Sequence, residues 1–171
     1  MPRVIVFLAA VLSATSAFGA PAGLLDKTVT MSWSTSGSGT RADGKPLSFS
    51  NINTRVVYIS SAGRAFLRKE VRGRRAARGG EVGPGEGGRR GSIRLEGNRL
   101  VGAEAFASGA RQYIATFDSG FSSCTLSVID AKAGGAKIQR KGPDGAMYVI
   151  DSVSSGSPSC SIQSGNAFAG R

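Results

Sequence analysis

The stretch RKEVRGRRAARGGEVGPGEGGRRG, Arg68 to Gly91, carries eight basic residues, three acids and eight glycines in 24 positions. Arginines gathered in this way neutralise phosphate, sulfate or carboxylate groups and release the counterions of a polyanion. From Arg55 to Arg99 there are twelve basic residues and four acids, so most of the chain's formal charge of +11 falls in this segment. Arg72, Arg74, Arg75, Arg78, Arg89 and Arg90 are its candidate anion-binding residues. The glycines between them deny a fixed scaffold, so contacts would be driven by charge number, with little discrimination among anions. The competing reading is a solvated, flexible Gly/Arg-rich insertion at about 72–91 whose arginines maintain solubility. No aromatic residue lies between Arg68 and Arg99, which removes the stacking platform that single-stranded nucleic acid uses. Anionic glycans, lipopolysaccharide or phospholipid headgroups are therefore expected ahead of nucleic acid.

Other chemistries lack their parts. The chain has no histidine, which takes away the usual general base of serine and cysteine hydrolases and the commonest catalytic metal ligand. There is no G-x-S-x-G elbow and no H-E-x-x-H motif. GPGEGGRRGS, Gly83 to Ser92, lacks the spacing of a phosphate loop. A two-carboxylate glycosidase would need paired acids, but most acids here neighbour glycines or fall at turns and strand ends, where a solvated carboxylate is expected. The expectation is a protein that is not an enzyme and carries no cofactor and no metal.

The first twenty residues, MPRVIVFLAAVLSATSAFGA, place Arg3 before an apolar run from Val4 to Leu12, then small residues with cleavage points after Ala17, Gly19 or Ala20. That is the pattern of a secretory signal peptide over residues 1–20, and the run is short of the roughly 20 residues that cross a bilayer. Residues 21–171 are then one periplasmic or secreted domain whose N-terminus lies between Phe18 and Pro21. Cys124 and Cys160 enter an oxidising compartment as an even pair and are expected to form one disulfide.

The elements that must position these residues read as strands and turns. TVTMSW alternates Val29, Met31 and Trp33 against Thr28, Thr30 and Ser32, the period of a half-buried strand. TSGSGTRADGKP, Thr35 to Pro46, has the composition of a flexible loop. RVVYIS and AFLRKEV flank SAGR, a hairpin in which Gly63 takes a positive φ, and GN at Gly97 and Asn98 turns SIRLE into RLVGA. RQYIATF, a turn at Asp118 to Gly120, and FSSCTLSVI form the clearest hairpin, with Cys124, Leu126 and Val128 on an interior face. AKIQR and MYVIDSV follow, and the tail SCSIQSG is expected to return beside the Cys124 strand. VGAEAFASGARQ, Val101 to Gln112, is the remaining helix candidate, weakened by its glycines. About eight to ten short strands make an all-β domain, an antiparallel barrel or sandwich. Trp33 and Tyr113 are packing residues first. In a barrel they would line the mouth and hold a small ligand, which leaves a carrier as the alternative function. The serine-rich stretches read as the wet face of a sheet.

In order, DKTVTMSW, VYISSAGRAF, FASGARQYIATFDSGFSSC, AKAGG and SCSIQSGNAF together resemble a group of small exported bacterial β-rich proteins of unassigned function. The resemblance implies that both cysteines belong to a shared scaffold and that Arg68 to Gly91 is peculiar to this chain. It brings no catalytic residue.

Overall fold

Strand β1 (Lys27–Arg41) buries Val29, Met31 and Trp33 completely on one side, as their two-residue spacing predicts. In this computed structural model, which describes residues 19–72, 77–82, 92–106, 109–132, 138–141 and 147–168, it is the centre of a six-stranded sheet. The chain continues through β2 (Pro46–Ile59), β3 (Ala65–Arg72), β4 (Ala77–Val82), β5 (Ser92–Glu96), β6 (Arg99–Phe106), β7 (Gly109–Phe117), β8 (Cys124–Lys132), β9 (Ile138–Lys141) and β10 (Met147–Ser164). The larger sheet has the order β4-β3-β2-β1-β10-β9, and the smaller one β5-β6-β7-β8. Every pairing is antiparallel. Among the described residues no strand joins one sheet to the other. The fold is therefore a sandwich, and the barrel option falls away.

Three expectations from composition give way. Thr35 to Arg41 extends β1 where a loop was expected, because its small residues suit crowded neighbours. A Cβ on Gly37 would stand 2.4 Å from the Phe49 ring and from the Ser152 carbonyl oxygen, and one on Gly39 would stand 2.3 Å from the Val149 carbonyl oxygen. MYVIDSV and SCSIQSG belong to one long strand, β10, which pairs with β1; the Cys160 tail faces β8 across the sandwich and does not lie beside it in the same sheet. The Val101–Gln112 helix candidate is instead the β6–β7 hairpin. Here alternation outweighs local propensity: Leu100, Gly102 and Glu104 face inward with Arg111, Tyr113, Ala115 and Phe117. Gly102 is needed because the Tyr113 ring lies across it, only 2.0 Å from where a Cβ would sit. The turn expectations at Gly63 (φ 74°) and Gly97 (φ 59°) agree with the structure.

One half of the interior is apolar. Leu24, Val29, Met31, Val57 and Ile59 meet Ile93, Leu100, Ala115 and Phe117 from the smaller sheet, each contributing in the order of 1.5–3 kcal/mol when fully buried, Ala115 less. The Cys124–Cys160 disulfide, Cα–Cα 5.6 Å, closes this half by tying β8 to β10. Among the described residues no helix is long and apolar enough to cross a membrane.

Candidate functional site

The other half of the interior is charged. Glu104, Arg111 and Asp130 stand in register across β6, β7 and β8. Lys69 and Arg55 stand in register across β3 and β2 of the opposing sheet. Arg55 Nε and Nη2 donate to Glu104 Oε1 and Oε2 at 2.9 and 3.0 Å, and its Nη1 donates to the Thr54 carbonyl at 3.0 Å. Lys69 Nζ reaches Glu104 Oε1 at 3.0 Å from the same sheet as Arg55. Arg111 Nε donates to Asp130 Oδ1 at 2.6 Å. Arg55, Glu104 and Arg111 are 5%, 4% and 7% exposed, so these charges are almost wholly withdrawn from water.

Trp33 and Tyr113 form the floor beneath the charges. Their rings stack at 5.4 Å with an interplanar angle of 26°. The Arg55 guanidinium lies 5.1 Å from the Trp33 ring and 6.0 Å from that of Tyr113, and the Arg111 guanidinium lies 5.8 Å from Trp33. Guanidinium over an aromatic face is favourable and costs less desolvation than an ammonium would. Asn53 Nδ2 donates to Thr35 Oγ1 at 2.8 Å, extending the buried polar region along β1 and β2. Among the described residues the Trp33 indole N–H meets no hydrogen-bond partner. The two aromatics thus pack on each other and on arginine, and line no barrel mouth.

Burial alone would raise the Glu104 pKa, but hydrogen bonds and charge from Arg55, with the charge of Lys69, outweigh it and hold the carboxyl below its ordinary value. Burial and the neighbouring Glu104 charge push the Tyr113 phenol up, so it stays neutral. Both oxygens of Glu104 accept from cations, which makes it the anion that holds Arg55 and Lys69 in place. Its geometric effect is to join the sheets: two cations of the larger sheet converge on one carboxylate of the smaller. Because Lys69 stands opposite Ala77, the first residue of β4, the lock sits near the turn end of the β3–β4 hairpin.

Of the six candidate arginines, the structure describes the backbone of Arg72 and Arg78. Arg72 ends β3, its Cα opposite Ile52 on β2. Arg78 lies in β4, the edge strand, which pairs back on β3 with Lys69 opposite Ala77 and Leu67 opposite Gly80. Arg74, Arg75, Arg89 and Arg90 lie outside the described residues. The segment expected as a loop at about 72–91 thus contains one strand, and the rest of it lies outside the described residues.

The structure also sorts the charges around them. Arg55 and Lys69 serve Glu104, Arg68 pairs with Glu70 at 2.6 Å, and Arg94 pairs with Glu96. Positions 72–90 hold six arginines against two glutamates.

Arg55, Lys69, Glu104, Arg111 and Asp130 escaped the sequence reading. Their signal was phase: Arg55 keeps step with Val57 and Ile59, Arg111 with Tyr113 and Phe117, Asp130 with Leu126 and Val128. A charge in step with an interior stripe signals a buried partner, but only strand register names it. Among the described residues no group of three or more acidic or cysteine side chains could hold a metal ion. Compared with known proteins, the chain matches no family model, no curated protein and no solved structure.

Proposed function

We propose that this chain is a non-enzymatic exported β-sandwich that holds anionic envelope components or glycans through Arg72, Arg74, Arg75, Arg78, Arg89 and Arg90. The observation that carries the reading is the β3–β4 hairpin. It forms the edge of the larger sheet, is tied to the smaller sheet through Lys69 and Glu104, and belongs to the stretch 72–90 with its six arginines and two glutamates. Arginines spaced by glycines in the sequence suit a polymer of repeated anionic groups, for which the number of charges counts for more than their exact placement.

Export is supported by the leader pattern at residues 1–20 and by the disulfide, which belongs in an oxidising compartment. The likeness to small exported bacterial β-rich proteins fits the same compartment and leaves the basic hairpin as the part peculiar to this chain.

Replacing all six arginines with serine is expected to leave the fold intact, since none of them belongs to the Arg55–Lys69–Glu104 cluster that joins the sheets. The variant should lose the retention on heparin and on lipopolysaccharide that the parent shows at low salt. Elution of variant and parent at the same ionic strength from both matrices would reduce the hairpin to a solvated insertion.

A further inference from the structure

On its outer face β1 carries only serine and threonine, and the strand register extends that surface to both neighbours. Ser48, Ser38 and Ser152 stand abreast on β2, β1 and β10, and so do Ser50, Ser36 and Ser154. All six are exposed. The next row is Ile52, Ser34 and Gly156. With the Thr40 row at one end and the Ser32 row at the other, fifteen residues form five rows of three, and none of them is charged. Asp151 falls at the β10 bulge between the Ser38 and Thr40 rows.

The row at Ser34 has a projection on one side and a gap on the other. Ile52 is 44% exposed. Gly156 has no side chain, and a Cβ built there would touch only the Ser34 hydroxyl, at 3.4 Å, so β10 is open at this point. The Ser34 hydroxyl turns toward Gly156 and donates to its carbonyl at 2.9 Å.

Turning a second copy by 180° about an axis along β1, between two facing sheets, places β2 of each copy over β10 of the other and keeps every row in step. Ile52 of one copy then meets the gap at Gly156 of the other, twice over, as a two-fold interface requires. Each β1 serine meets its own counterpart, and a hydroxyl that both donates and accepts can pair with itself.

Charge favours the same occupant. A chain with 22 basic and eleven acidic residues repels its own copies, and these rows let two copies touch without withdrawing any of those charges from water. With residues about 4.8 Å apart sideways and 6.8 Å lengthwise, the rows cover about 500 Å² on each copy. The two together reach about 1,000 Å², the lower bound of a specific interface, which suits a reversible dimer. A lipid surface would ask for a broader apolar patch, and a polyanion for cations that the rows lack.

We infer that the outer face of the six-stranded sheet is a self-association surface, on which two copies of the chain pair about a two-fold axis along β1 with Ile52 of each set over Gly156 of the other. The dimer holds its two β3–β4 hairpins on opposite edges, so a polymer is offered two basic segments in place of one.

Sedimentation equilibrium over a range of protein concentrations tests this. The parent should show a monomer–dimer equilibrium that strengthens as salt screens its net charge, the opposite response to that of polyanion binding. Ser36→Lys sets like charges together at the axis, and Gly156→Val fills the gap at a strand position that a β-branched residue suits; each should raise the dissociation constant about tenfold or more while keeping a cooperative urea transition. The double variant Ile52→Ala/Gly156→Ile exchanges projection and gap and should dimerise again. A parent that is monomeric at every concentration and salt, a dimer that neither single variant weakens, or a double variant no better than Gly156→Val overturns the inference and leaves the polyanion reading standing.

Discussion

Replacing Glu104 with alanine is expected to destabilise the fold by about 3–5 kcal/mol, because removing one partner of a buried pair leaves the other charge uncompensated. Arg55 is the charge that suffers. It is 5% exposed, gives two hydrogen bonds to Glu104 and is walled by Trp33 and Tyr113, so it has no route to water without opening the sandwich. Lys69, with 29% of its side chain exposed, can turn outward. Glu104→Gln keeps an acceptor for Arg55 and should cost less. Urea denaturation of the three proteins measures this, and a loss under about 1 kcal/mol in Glu104→Ala would contradict a buried lock.

The same carboxylate sets an acid dependence. Its folded pKa lies below the ordinary value of 4.5, so its contribution is complete above that value and is lost as pH falls through the lower, folded pKa. The parent should lose stability on acidification more steeply than Glu104→Ala, and parallel pH profiles would remove Glu104 as the cause.

Changing Cys124 or Cys160 to serine is expected to cost about 2–5 kcal/mol. The cysteines are 36 positions apart, and closing a loop of that size contributes roughly 4 kcal/mol in the chain-entropy model. The bond also joins β8 to β10, so it restrains the two sheets directly. Denaturation with and without reductant should reproduce the loss in the parent, and neither serine variant should respond to reductant. Free thiols in the native protein, or a link between two chains, would contradict the pairing.

How much of this was legible in the sequence depends on whether local pattern or distant register decides. Val29, Met31 and Trp33 announce their strand because burial alternates within six residues. Gly63 and Gly97 announce their turns because positive φ is a local demand. The cysteine pair followed from an even number and a compartment. By contrast, Thr35–Arg41 has the composition of a loop and becomes a strand only because Phe49 and β10 crowd against its glycines. The Glu104 lock needs β6 set against β2 and β3 from the other sheet, a relation that no short window holds. The basic segment shows its charge in the sequence, yet only the structure reveals that Arg55, Arg68 and Lys69 are matched within the molecule.

The salt dependence of heparin binding, measured by titration for the parent and for the variant with serine at 72, 74, 75, 78, 89 and 90, tests the central claim most directly. Polyanion binding through those arginines predicts that log K falls linearly with log salt in the parent, and that each lost contact makes the slope shallower. The six-fold variant should therefore give a nearly flat line and weak binding at every salt concentration. The same slope and affinity in both proteins would contradict the account.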